Sequence, residues 1–255
     1  MAKATKIRPP FAWLGQHTQL TSIVATMGIA AFFRFYELGS LPPGIDGQTA
    51  TVGLQALNVL NHGTFPGLNA ANDYAPLWVW LQSVAIYVFG HTALALRIIP
   101  AILGTIAVLT AWLWMKSWFN LRLAWLTAFL LAVTPWAVTL SRSGSEAVLW
   151  PLLVTLTLWL ATRAWRSRSV VANVLLALVL SVNLLCGPIG WLITATTVLV
   201  AITLLWNTKR LFKFDHARLI GIVVLAAGLG LLSYLFGLSL SAIKALPQAT
   251  GIAMT

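Results

Sequence analysis

The sequence predicts an all-α, polytopic membrane protein, and three observations support this fold class. Hydrophobic residues make up 59% of the 255 residues and charged residues only 8%, whereas soluble domains carry about 25% charged residues. The basic clusters fall at one phase of a hydrophobic repeat: Lys3/Lys6/Arg8, Lys116/Arg122, Arg163/Arg166/Arg168 and Lys209/Arg210/Lys213/Arg218. Four of the five carboxylates, Glu37, Asp46, Asp73 and Glu146, fall at the opposite phase. This alternation is typical of a chain that crosses a bilayer repeatedly.

The composition also narrows the classes of function. A formal charge of +11 does not indicate nucleic-acid binding, because the basic residues flank apolar spans, where they set topology. We therefore expect no nucleic-acid partner. The single cysteine, Cys186, excludes an internal disulfide and a cysteine-rich metal site. The polar and basic segment Met1–Gln19 does not have the pattern of a cleavable signal peptide.

Crossing the hydrocarbon core takes about 20 helical residues, and seven apolar runs approach this length. We predict spans at Thr21–Tyr36, Leu94–Met115, Leu123–Leu140, Ala147–Ala164, Val170–Cys186, Ile189–Trp206 and Leu219–Leu240. An eighth run, Pro76–Gly90, is shorter. If it crossed, the basic clusters would lie on both sides of the membrane. We predict that it does not cross, which leaves all four clusters in the cytoplasm.

The predicted chain is a single membrane domain, residues 1–255, in the cell (cytoplasmic) membrane. Its N-terminus, 1–20, is cytoplasmic, six further spans occupy 94–240, and 241–255 form an outer tail. The first outer loop, 37–93, is expected to hold two helices that lie along the membrane. One is amphipathic, near Gln48–Asn61, and the other is Pro76–Phe89, whose aromatic residues suit the interface.

Several short segments occur in an order that resembles a known family. They are Arg34–Leu38 with Pro42–Asp46, Tyr74–Leu77, Phe89–Gly90 with Ala95–Ala101, and Thr134–Trp136 with Ser141–Arg142. The set resembles the polyprenyl-phosphate-dependent glycosyltransferases of the GT-C fold, the protein mannosyltransferase and aminoarabinose transferase group. The resemblance implies a seven-span module with interfacial helices in the first outer loop, which agrees with the charge pattern.

The resemblance also implies an activity and its partners. The expected enzyme transfers a hexose or pentose, with inversion, from a polyprenyl-phosphate sugar to an acceptor at the outer face. Membrane lipid and the lipid-linked donor are the implied partners, and a second membrane subunit remains open. Three departures stand against the family pattern: Gly47 replaces the second acid of an Asp-Glu pair, Ala75 stands where lysine is frequent, and family enzymes are commonly much longer.

Sugar transfer from a lipid phosphate needs a base for the acceptor proton and a group that holds the departing phosphate. The resemblance implies Asp46 as the catalytic or metal-binding carboxylate and Glu146 as the second acid. Two such carboxylates can ligate Mg²⁺ or Mn²⁺, which prefer oxygen. Arg142 and Arg97 are the candidate phosphate contacts. Asp73 and Tyr74 are expected to line the same site.

Structural interpretations of these residues stay open. Asp46 can cap the following helix, and Glu146 can cap the fourth span or pair with Arg142. Asp73 can be an ordinary loop residue, and Arg34 can pair with Glu37.

Two other functional classes are also considered. One is a non-catalytic membrane subunit that keeps the fold and binds a lipid carrier or a partner protein; Gly47 and the short length favour it. The other is a transporter, which would bury ionisable residues near the midplane or repeat its halves. The predicted spans are nearly free of acids, which disfavours the transporter.

Overall fold

The structure of the protein is a computed structural model that describes residues 18–62, 74–167, 170–186, 190–197 and 199. The described residues are helical or lie in turns and loops, and none of them lies in a strand. The helices are α1 (Thr18–Phe35), α2 (Gly47–His62), α3 (Pro76–Phe89), α4 (Ala93–Trp118), α5 (Leu121–Val133), α6 (Pro135–Arg142), a 3-10 turn (Glu146–Val148), α7 (Leu149–Ser167) and α8 (Val170–Leu184). Residues 190–197 are also helical.

Helix α4 is the centre of the bundle, because α1, α3, α5, α6 and α7 all pack against it. Its 26 residues span about 39 Å at 1.5 Å per residue, more than the ~30 Å hydrocarbon core. Small buried residues, among them Ala101, Gly104, Ala107 and Ala111, let neighbouring backbones approach it closely. This packing makes α4 the element that sets the positions of the others.

Within the described residues, two segments are long and apolar enough to cross a membrane, Ala93–Trp118 and Glu146–Ser167. The pair α5 and α6 forms a third if it counts as one span, but it is bent by 55°. Three shorter apolar helices cover Leu20–Phe35, Pro76–Phe89 and Val170–Leu184. The protein is therefore an all-helical membrane protein, as the sequence predicts.

The bend follows from Pro135, which has no N–H to offer the Leu131 carbonyl. The predicted single span Leu123–Leu140 is therefore wrong as a continuous helix, because α5 ends at Val133 and α6 begins at Pro135.

The two helices predicted in the first outer loop are confirmed as helices, at Gly47–His62 and Pro76–Phe89. The predicted span Leu219–Leu240 and half of Ile189–Trp206 lie outside the described residues.

Helices α4 and α7 run in the same direction, so the described carboxylates and the basic residues of the loops lie at opposite ends, with Arg34, Arg97 and Arg142 at the same end as the carboxylates. Near their starts, a Cβ on Gly144 would lie 3.3 Å from the Leu96 carbonyl oxygen. Near their ends, the Trp118 indole N–H donates to the Thr162 hydroxyl at 2.7 Å. One end, here called the acidic end, carries Glu37, Asp46 and Glu146; the other, the basic end, carries Lys116, Arg122, Arg163 and Arg166.

Candidate functional site

A cavity of about 440 Å³ lies at the acidic end, between the start of α2 and the start of α7. Three separate chain segments form its wall: the first turns of α2, Tyr74 two residues before α3, and the loop that enters α7. The lining residues are Gln48, Thr49, Val52, Tyr74, Gly144, Ser145, Glu146, Ala147 and Trp150. Two of the residues that the sequence predicts for the site, Glu146 and Tyr74, are therefore brought together in one cavity.

Glu146 is fixed by the backbone before α3. Its Oε2 accepts a hydrogen bond from the Ala75 N–H at 3.0 Å, and the side chain is half-buried. Ser145, not Glu146, is the N-cap of the 3-10 turn, because its hydroxyl accepts from the Ala147 N–H. The interpretation of Glu146 as a cap of the fourth span is thus wrong. Its carboxylate instead joins two segments of the cavity wall.

Asp46 lies immediately before α2, and its carbonyl oxygen accepts the Ala50 N–H at 2.9 Å. The side chain is exposed, and its carboxylate forms no hydrogen bond with another described residue. A capping bond from this side chain is therefore not made. Asp46 is not among the residues that line the cavity, although Gln48, two residues later, is one of them.

The segments that carry Asp46 and Glu146 are in direct contact. The Thr49 hydroxyl, in the first turn of α2, donates to the Ser143 carbonyl at 2.7 Å. Gly144 has a φ of +82° and approaches so closely that a Cβ there would lie 2.6 Å from the Thr49 Cγ2. Glycine suits both requirements, because it has no Cβ and readily adopts a positive φ. The start of α2 and the loop before α7 therefore form one packed unit.

The two arginines predicted as phosphate contacts both donate to backbone carbonyls. Arg97 is 4% exposed, and its guanidinium donates to the carbonyls of Leu38 (3.2 Å), Gly39 (3.5 Å), Pro42 (2.8 Å) and Gly44. Arg142 is half-buried and donates to the carbonyls of Phe33 (2.8 Å) and Leu41 (3.2 Å). Phosphate binding by either residue stays a prediction.

Two pairings suggested by the sequence are wrong. Arg34 does not pair with Glu37, because its guanidinium donates to the carbonyls of Ala30, Leu131 and Ala132, each at 3.2 Å. Glu37 is exposed, with a φ of +48°. Arg142 does not pair with Glu146 either, since both have the backbone partners described above.

Other cavity residues carry little sequence signal. Trp150 is one of thirteen tryptophans, a residue type enriched at membrane interfaces, and nothing in its local sequence indicates a cavity wall. Gln48 and Thr49 lie two and three residues after Asp46, so the motif that contains Asp46 is the sequence signal closest to them. Asp73, also predicted to line the site, lies outside the described residues.

The sequence allows a divalent cation, Mg²⁺ or Mn²⁺, at this site. Among the described residues, no group of three or more His, Cys, Asp or Glu side chains is close enough to hold a metal. Mg²⁺, however, is commonly bound by one or two carboxylates together with waters and substrate phosphates. Of the two predicted ligands, only Glu146 lines the cavity, so a metal shared by Asp46 and Glu146 stays a prediction.

A helical bundle with a broken span and an acid-bearing cavity at one end is the architecture of a polytopic membrane protein. The chain belongs to the dolichyl-phosphate-mannose-protein mannosyltransferase family, whose sequence pattern matches residues 73–234. No curated protein matches the sequence of the chain.

Two solved structures of archaeal oligosaccharyltransferases have a similar fold. One is AglB from Archaeoglobus fulgidus in complex with an inhibitory peptide and a dolichol-phosphate, with a TM-score of 0.65 and 20% identity. The other is an Archaeoglobus fulgidus oligosaccharyltransferase in the apo form, with a TM-score of 0.67 and 19% identity. Each match covers 88% of this chain and 30% of the other. The likeness establishes the GT-C fold, in agreement with the sequence resemblance.

Proposed function

We propose that the protein is an inverting glycosyltransferase that moves a hexose or pentose from a polyprenyl-phosphate donor to an acceptor at the outer face of the cytoplasmic membrane. Membership of a mannosyltransferase family supports the reaction class, and the dolichol-phosphate bound to the similar AglB structure supports a lipid-linked donor. The observation that carries the proposal is the cavity in which Glu146 lies beside the first turn of α2, directly after Asp46.

The proposed sugar transfer involves the acceptor, the lipid-linked donor and one carboxylate of the protein. The acceptor oxygen forms a bond to the anomeric carbon of the sugar, while the bond from that carbon to the phosphate oxygen breaks. The departing polyprenyl phosphate keeps the electron pair, and a carboxylate takes the acceptor proton. We assign the proton transfer to Asp46, because its carboxylate is exposed and has no hydrogen bond to another described residue, whereas Glu146 accepts the Ala75 N–H.

The departing phosphate needs positive charge or hydrogen-bond donors. Arg142 is the more available arginine of the two predicted, since two of its five N–H groups donate to the Phe33 and Leu41 carbonyls. A Mg²⁺ or Mn²⁺ ion, when bound, would neutralise phosphate charge, with Asp46 and Glu146 as its protein ligands. Asp73 and Tyr74 belong to the same proposed site.

The charge separation supports a topology for the proposed enzyme. Basic residues near short loops favour the cytoplasmic side, so the basic end faces the cytoplasm and the acidic end faces outward. The N-terminus, with Lys3, Lys6 and Arg8, is cytoplasmic in this arrangement. The donor and acceptor then meet at the outer membrane surface.

A non-catalytic membrane subunit is the second candidate. One observation favours it: the residue after Asp46 is Gly47, an exposed glycine that opens α2, where the resembled family carries a second acid. A subunit of this kind would bind a lipid carrier or a partner protein through the same fold without turnover.

The distinguishing experiment is Asp46→Asn in the purified full chain, assayed with a panel of polyprenyl-phosphate sugars. Asn preserves size and polarity but cannot take a proton as a carboxylate does, so transfer should fall by about 10²–10⁴-fold. Glu146→Gln keeps an oxygen for the Ala75 N–H and tests the second acid. Glu37→Gln is the matched control, because Glu37 is an exposed carboxylate of the same end outside the cavity.

Equal turnover in the wild type and in Asp46→Asn would remove Asp46 from the mechanism. If neither form transfers sugar and both bind the lipid, the non-catalytic subunit is supported instead. A comparable loss in Glu37→Gln would show that the assay reports the general charge of the acidic end.

A further inference from the structure

The segment between α1 and Asp46 has few backbone hydrogen bonds of its own. The N–H groups of Leu38, Ser40 and Leu41 donate to the Phe35 and Glu37 carbonyls, and residues 42 and 43 are prolines. Five carbonyls of this segment accept instead from arginine side chains: Leu38, Gly39, Leu41, Pro42 and Gly44. Side chains from other parts of the fold therefore hold this backbone in its conformation.

Arg97 supplies the contacts nearest to Asp46. Its Nη2 donates to the carbonyls of Pro42, at 2.8 Å, and Gly44, and Gly44 lies two residues before Asp46 with a φ of +79°. Arg97 is buried and forms no ion pair with a described residue. A buried cation without a carboxylate is costly, so the backbone carbonyls are what compensate its charge.

The same turn of α4 also touches the loop that carries Glu146. A Cβ on Gly144 would lie 3.3 Å from the carbonyl oxygen of Leu96, the residue before Arg97. One turn of α4 thus contacts the two segments on which the proposed site depends. A movement of the Leu38–Gly44 segment relative to α4 would move Asp46 relative to Glu146.

We infer that Arg97 is a positioning residue that fixes Asp46 against the Glu146 loop by binding the carbonyls of the Leu38–Gly44 segment. The kinetic part of this inference rests on the proposed function. Misplacement of a reacting group by about 1 Å can cost ~10²-fold in rate, so the role has a measurable effect without any contact between Arg97 and substrate.

The test compares Arg97→Lys with Arg34→Lys in the full chain. Lysine keeps the charge, but its single ammonium cannot bind four separated carbonyls as a planar guanidinium does. Arg34 is the matched control, since it is also buried and also binds backbone carbonyls, yet makes no bond to the Leu38–Gly44 segment. Hydrogen exchange of the Leu38, Ser40 and Leu41 amides and the kinetics of sugar transfer are measured for each variant that stays folded.

In Arg97→Lys we expect the exchange rate of these amides to rise by about tenfold or more. The reason is that hydrogen bonds to charged groups are stronger than neutral ones, so their loss frees the segment to open more often. We also expect a fall in kcat of about 10²-fold with KM for the donor nearly unchanged. Arg34→Lys should change neither. Unchanged exchange in Arg97→Lys, or the same changes in Arg34→Lys, would overturn the inference. If the wild type transfers no sugar, the proposed function fails, and the exchange comparison alone still decides whether Arg97 holds the segment.

Discussion

The arginines at the acidic end donate mainly to backbone carbonyls, which leaves few of their N–H groups for other contacts. Arg34 and Arg97 are buried, and together they donate seven hydrogen bonds to backbone carbonyls. Arg142 holds two more. Of the two arginines in the proposed site, Arg142 therefore has fewer carbonyl partners than Arg97.

Gly144 offers a direct test of the contact between the two acid-bearing segments. In Gly144→Ala the new Cβ would lie 2.6 Å from the Thr49 Cγ2, at a φ of +82°. The positive φ alone should cost about 1–3 kcal/mol, so the thermal unfolding midpoint in detergent should fall clearly. Gly47→Ala is the control, because a Cβ there meets no atom within 4 Å. Similar midpoints for the two variants would contradict the close approach at Gly144.

Of the two carboxylates that the sequence predicts for the site, Glu146 lines the cavity and Asp46 does not, and the partners of the arginines are not predicted at all. An acid at the boundary of an apolar span is visible in the sequence, because burying it in lipid is costly. The acceptors of Arg97 are carbonyls more than fifty residues away, at Leu38 to Gly44. Every residue has a carbonyl, so no residue type marks these partners before the chain is folded.

At the scale of helices, the break between α5 and α6 is stabilised by Arg34. Pro135 has no N–H, which leaves the Leu131 carbonyl without its usual partner four residues later. The Arg34 Nη2 donates to that carbonyl, and its Nη1 donates to the Ala132 carbonyl. The bend and the buried arginine are thus parts of one arrangement.

The coupling between Arg34 and Pro135 can be measured in a double-mutant cycle. Arg34→Met should destabilise the protein by about 1.5–3 kcal/mol, since it leaves carbonyls unsatisfied. In a Pro135→Ala background the new alanine N–H can donate to the Leu131 carbonyl, so the same change should cost less, with a coupling of ~0.5–3 kcal/mol. Unfolding midpoints of the four proteins in detergent give the cycle, and additive effects would argue against the shared carbonyl.

The predicted helix bounds are accurate where an apolar run begins with proline and is followed by glycine. Pro76–Phe89 is a helix with those same bounds, because proline suits the first helical position and Gly90, with a φ of +74°, ends it. The run Leu123–Leu140 was predicted as one span although Pro135 lies inside it. Hydropathy does not depend on whether a residue has an N–H, so it does not predict the break, although Pro135 marks the break in the sequence.

At the scale of the whole molecule, the parallel course of α4 and α7 brings the described carboxylates to one end, together with Arg34, Arg97 and Arg142, and the basic residues of the loops to the other. The Lys116 ammonium lies 4.7 Å from the centre of the Trp112 ring, and Arg166 donates to the Ser117 carbonyl at the same end. The opposite end contains the cavity and Glu146. The charge pattern of the sequence therefore predicts which loops lie at the same end. Each helix that crosses the bundle carries the chain from one end to the other, so alternate loops share an end.

The orientation of these ends in the membrane can be determined with single cysteines. In a Cys186→Ala background, Ser40→Cys marks the acidic end and Phe119→Cys, at a residue 57% exposed, marks the basic end. Because basic residues favour the cytoplasmic side, a membrane-impermeant maleimide should label Ser40→Cys in intact cells and Phe119→Cys only after permeabilisation. The reverse pattern would invert the proposed topology and put the cavity in the cytoplasm. Labelling of both positions in intact cells would contradict their assignment to opposite sides, since it requires the segment between them to return to the surface it left.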